Sequence, residues 1–167
     1  MFCPRPLLDR KPERLVVTGL RCCLAGYDFG DIECWETAWR SYRDELGTVH
    51  ARQLIGELQF WVRTIRAEAV RPLTVYPYGC THVCRDECMA LSLIAALQDR
   101  DTSTAFMAAY YLSGGAARDA AVELVASGEA FAALLFTAGQ KLLSVPPGVV
   151  LAIACHDCEP SLSTSLH

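Results

Sequence analysis

Residues 31–69 read DIECWETAWRSYRDELGTVHARQLIGELQFWVRTIRAEA, and the spacing of their apolar side chains decides the fold class. Ile32, Trp35, Trp39, Tyr42 and Leu46 recur at helical intervals and form one stripe. Asp31 is positioned to cap this helix, Gly47 to end it and Thr48 to cap the next. From Thr48 to Ala69, the residues Leu54, Leu58, Trp61, Ile65 and Ala69 line one side. Arg52, Gln59, Arg63 and Arg66 gather opposite them, within about 60° of one another at about 100° per residue. Two amphipathic helices with one short connection predict an antiparallel pair.

Outward from this pair, the same reading extends over the chain. Residues 1–12, with three prolines, form an irregular lead-in, and Glu13–Tyr27 is a first helix weakened by Gly19 and Gly26. Arg71-Pro72 closes the helix before it, and residues 71–85 make a loop. Asp86 is then a cap for a helix running to Gln98. That helix is apolar on nearly every side, which predicts a central, buried position. Three alanine-rich helices follow at 103–112, 116–126 and 129–143, divided by Gly114-Gly115 and Ser127-Gly128. Residues 144–167 form a tail in which Val149–Ala154 is a short extended or buried segment. The expectation is an all-α fold: one domain over 1–167, a bundle of about six or seven helices with a Cys/His-rich loop and an irregular C-terminal tail.

Size and composition agree with this. A chain of 167 residues with 52% hydrophobic and 20% charged side chains can bury a core of its own. Net charge is −4, with residues 1–85 at +2 and residues 86–167 at −6. That balance argues against a nucleic-acid partner. Proline and charge at the start leave no room for a signal peptide. The apolar run Ala130–Ala138 falls short of the roughly 20 residues of a membrane span. The expected setting is the reducing cytoplasm.

Nine cysteines sharpen the question of chemistry. They gather at Cys80-Thr-His82-Val-Cys84-Arg-Asp-Glu-Cys88 and at Cys155-His156-Asp157-Cys158. In a reducing compartment such clusters point to metal or redox chemistry more than to structural disulfides. On one continuous helix, Cys80, Cys84 and Cys88 would be separated by about 6 Å per step, too far for all three to share one ion. With the helix starting near Asp86, Cys80 and Cys84 lie in the loop. The preferred four-ligand set is therefore Cys80, Cys84, Cys155 and Cys158 around zinc, with His82, Cys88 and His156 as substitutes.

The function expected from this set is a small zinc-binding protein that acts as a regulatory or accessory module, with another protein as its partner. The alternative is a redox protein whose same cysteines hold an iron–sulfur cluster or cycle between thiol and disulfide. Catalysis at an open zinc position would use His82 or His156 as ligand and Asp157 or Glu87 as base. A thioredoxin-type site is excluded, because Pro160 and only nine residues follow Cys158. Elsewhere, ordinary roles dominate. One of Cys22 and Cys23 faces the core, the three tryptophans anchor packing, and His50 lies on the surface. The Arg52, Gln59, Arg63, Arg66 face is a solvated helix side, or else a surface for an acidic or phosphate-bearing ligand.

Overall fold

Among the described residues the chain is built from helices alone: a 3-10 turn (Leu7–Asp9), α1 (Lys11–Phe29), α2 (Ile32–Leu46), α3 (Thr48–Glu68), α4 (Arg85–Gln98), α5 (Thr102–Leu112), α6 (Arg118–Thr137) and α7 (Pro147–His156). The computed structural model describes residues 7–115 and 117–156, His156 by its backbone only. Residues 1–6 and 157–167, with Cys3, Asp157 and Cys158 among them, lie outside the described residues, as does the 161–167 part of the expected tail.

The helical pair that decides the fold class forms as its spacing predicts. The Asp31 carboxylate accepts the Glu33 amide at 2.9 Å and starts α2. Gly47, at φ +83°, ends α2 and is itself the residue before α3, so Thr48 is helical rather than a cap. Leu54, Leu58, Trp61 and Ile65 are buried to within 1%. Ile32 departs from its stripe and stands 72% exposed at the corner after α1.

Two glycines read as weaknesses of α1 turn out to be points of close approach. A Cβ at Gly19 would lie 2.6 Å from both Leu58 Cδ2 and Tyr42 Oη, and one at Gly26 would overlap the Trp35 indole. The Tyr42 hydroxyl donates to the Leu15 carbonyl at 2.8 Å, tying α2 to α1. The first three helices thus form one layer. The second is α4 with α5, α6 and α7, and α4 is its buried centre: Met89 to Ala96 are all inaccessible or nearly so. α3 against α6 is the main seam, where Trp61 stacks on Phe131 at 5.8 Å.

The C-terminal half differs from expectation in three places, the first being that the helix expected to reach residue 143 stops at Thr137. α6 runs unbroken through Ser127-Gly128. A Cβ at Gly128 would stand 3.1 Å from Trp61 Nε1, so the glycine serves the α3–α6 approach instead of ending a helix. Val149–Ala154, expected to be a short extended or buried segment, is helical and belongs to α7. Pro147 suits the first helical position, and Val150 and Ala154, one turn apart, are buried against α4 and α5. Packing on one face outweighs the strand preference of the β-branched residues. The unbroken α6 is long and apolar enough, by length and composition, to cross a bilayer. Its Ala121, Leu124, Phe131, Ala132 and Leu135 are buried in the bundle.

Candidate functional site

Between α3 and α4 lie the sixteen residues 69–84, without a helix or strand. Such a length of irregular chain is uncommon in a small domain, because each backbone group still needs a partner. Here two adjacent carboxylates in the first turn of α4 supply the partners. Asp86 accepts the Thr74 amide at 2.8 Å, and Arg71 Nη1 and Nη2 at 2.8 and 2.9 Å. Glu87 accepts the Tyr76 amide at 3.1 Å and the Cys84 amide at 3.0 Å.

Arg21 completes the arrangement from α1. Its Nε donates to Glu87 Oε1 at 2.6 Å and its Nη2 to Glu87 Oε2 at 3.0 Å. The same guanidinium donates through Nη1 to the Cys80 carbonyl at 2.7 Å and through Nη2 to the His82 carbonyl at 2.6 Å. Both partners are buried, at 4% and 0% exposure. Arg21 and Glu87 therefore hold the loop backbone with charge-assisted bonds away from water. Burial alone would raise the Asp86 carboxyl, but Arg71, the Thr74 amide and Arg85 outweigh it and hold its pKa below the ordinary carboxylate value.

The start of α4 also corrects the expected cap. Cys84, not Asp86, is the N-cap, in a reciprocal capping box with Glu87. Its thiol donates to the Thr74 carbonyl at 2.9 Å. Cys88 sits in the first turn, half-buried. Burial raises the Cys84 thiol despite the neighbouring amides, and burial followed by Cys84 and Glu87 pushes Cys88 up to about 11. Near neutral pH these sulfurs are protonated thiols unless a metal displaces the proton.

Cys80 is half-buried and His82 exposed on the loop, and Cys155 is exposed near the end of α7. Among the described residues, no group of three or more Cys, His, Asp or Glu side chains is arranged to hold one ion. Cys158 and the His156 side chain lie outside the described residues. One feature brings the two segments together: Ala154 of α7 lines the same cavity as Arg71 and Arg85, the arginines that grip Asp86. No protein-family model, curated protein or solved structure matches this chain.

Several participants escape a reading of the sequence. Arg21 stands alone in an apolar run, Leu20-Arg21-Cys22-Cys23-Leu24, which is a legible sign of a buried charge. Cys84-x-x-Glu87 has the spacing of a capping box with sulfur in place of hydroxyl. Nothing local tells that Arg21 and Glu87 meet. Of the remaining cysteines, Cys22 and Cys23 are both buried, where one was expected inside, and burial raises their thiols to about 11 and about 12. Trp61 is a full core anchor, Trp35 and Trp39 are half-buried against the core, and His50 is exposed.

Proposed function

We propose that this protein is a regulatory or accessory module that works by binding another protein, and that loop 69–84 is its recognition element. The observation that carries the reading is the buried Arg21–Glu87 pair clamping the backbone of a long, otherwise structureless loop. A buried ion pair is a poor source of stability compared with apolar packing. A fold that keeps one to fix a surface loop gains a fixed loop shape, and preformed loops lower the entropic cost of binding. The loop presents Tyr78 at 62% exposure, Tyr76 at 39% and His82, and aromatic side chains of this kind anchor protein interfaces.

The test is a photo-crosslinking residue placed at position 78, compared with one at Gln53 on the outer side of α3, in the native host. A discrete partner captured at 78, lost in the Tyr76→Ala variant and not captured at 53, is the expected result. Equal capture at both positions would sink the reading.

A zinc ion held by Cys80, Cys84, Cys155 and Cys158, with His82, Cys88 and His156 as substitutes, is a second reading of the same loop. What favours it is the cavity shared by Ala154, Arg71 and Arg85, which brings the end of α7 to the side of the molecule where α4 begins. Zinc would supply a structural pin and drive off the thiol protons. Elemental analysis of protein purified natively under reducing conditions is expected to find the metal, and chelation to lower the melting temperature. Metal-free protein indifferent to chelation removes this reading and leaves the ion pairs as the only clamp. The thiol–disulfide branch of the redox alternative has less support, since protonated thiols at Cys84 and Cys88 are poor nucleophiles.

A further inference from the structure

Beside the start of the loop, a groove of about 500 Å³ opens between α1, the last turns of α3 and residues 69–73. Its apolar lining includes Leu24, Val70, Pro72 and Leu73, and three guanidiniums border it: Arg63, Arg66 and Arg71. We propose that this groove binds an acidic peptide segment of a partner protein, with an apolar side chain seated among Val70, Pro72 and Leu73. Asp28 also lines the groove and pairs with Arg66, and Arg71 pairs with Asp86, so the charge that selects an acidic occupant is the one carried by Arg63, in a chain whose net charge is −4. The groove is also preformed. The Val70 amide donates to the Ser113 carbonyl at 3.0 Å, fixing the groove wall to the end of α5.

The three arginines differ in their commitments. Arg71 is oriented by its two bonds to Asp86. Arg66 pairs with Asp28 at 2.8 Å, both of them over a third exposed, and lies over the Tyr27 ring at 5.0 Å from its centroid. Arg63 is exposed and makes no ion pair among the described residues. Asp28 is thus an internal carboxylate on an arginine that an incoming carboxylate would take over. That gives the groove a charge variant with each sign. Arg63→Gln removes an attractive charge, and Asp28→Asn removes a competitor.

This inference deepens the interaction-module reading and rests on it. The experiment uses the full chain and a fluorescein-labelled Glu-Glu-Leu-Glu-Glu peptide, with Gln-Gln-Leu-Gln-Gln and inorganic pyrophosphate as controls, read by anisotropy at low salt. Arg63→Gln/Arg66→Gln is expected to weaken binding of the acidic peptide by about fivefold or more, and Asp28→Asn to strengthen it by about twofold or more. The glutamine peptide is expected not to compete. Unchanged affinity in both variants, equal binding of the glutamine peptide, or pyrophosphate competing as well as the acidic peptide would each overturn it, the last by making the site one for bare anions. If the groove fails while the crosslink at position 78 persists, the loop remains the recognition element. If both fail, the interaction-module reading goes with them.

Discussion

Arg21 and Glu87 show how two charges can be kept inside a protein of this size. Each satisfies the other, and the spare capacity of both is taken by loop backbone: two carbonyls for the guanidinium, two amides for the carboxylate. Removing one partner leaves the other charged and dry, so Arg21→Met is expected to cost about 3–5 kcal/mol in urea unfolding. Arg21→Met/Glu87→Leu should cost clearly less than the sum of the two single changes, because no orphaned charge remains. Additive losses would show that the pair is not a unit. Asp86 carries the pH dependence. Its pKa is lower in the folded chain than in the unfolded chain, where it is about 3.9, so its contribution is complete above that value. It is lost as pH falls through the folded pKa, when the native carboxylate takes up its proton. Stability is therefore expected to fall on acidification below about pH 4, and Asp86→Asn to flatten that fall while lowering stability at pH 7. A slope identical to that of the parent would place the acid sensitivity elsewhere, with Asp99 next in line through Lys141 and Ser144.

At the scale of the helix, the sequence was informative where one face is apolar and misleading where a residue does a job assigned by a distant neighbour. α3 and, apart from Ile32, α2 follow their periodicity, because amphipathic stripes report burial directly, and α4 is buried all round as its apolar composition predicts. Gly128 does not end a helix, since it accommodates Trp61 from another element, and no local pattern records that contact. Val149, Val150 and Ile153 suggest extension, yet α4 and α5 supply the surface on which they pack as a helix. The glycines of α1 and α3 separate the two effects experimentally. Gly56 has open space around it, so Gly56→Ala is expected to add about 0.5–1 kcal/mol through helix propensity. Gly26→Ala gains the same propensity but drives a methyl into Trp35, and a net loss of about 1–3 kcal/mol is expected. Thermal denaturation of the two variants checks this: matching shifts would mean that the Trp35 indole yields to a methyl group at position 26. The cap of α4 is a third case. Cys84→Ser should fold as well as the parent and Cys84→Ala should lose about 1 kcal/mol, if the thiol acts as a cap.

Over the whole molecule, the site is legible only in its ingredients. Cys80, Cys84 and Cys155 are present in the sequence as an anomaly of composition, but whether separated segments meet depends on how α7 folds back over α4 and α5. The loop's clamp has the same character, since its two halves are 66 positions apart. What the assembled fold does determine is which thiols water can reach. Cys155 is exposed on α7, whereas Cys22 and Cys23 lie at 1% and 0% exposure within the first layer. Burial also holds the latter pair at about 11 and about 12, so a single cause slows their alkylation through both access and protonation. Reaction there requires opening of the layer itself, and with ordinary domain stability that opening is rare. Mass-spectrometric mapping of iodoacetamide labelling is expected to find Cys155 modified about a thousandfold or more faster than Cys22 and Cys23. Urea below the unfolding midpoint should reduce the logarithm of this ratio in proportion to the loss of stability, because protection by a cooperative core follows the global opening equilibrium. Labelling of Cys22 or Cys23 within tenfold of Cys155 in native buffer would mean that the first layer opens on its own. The Arg21–Glu87 clamp, which spans from that layer to α4, would then not be holding the two halves together.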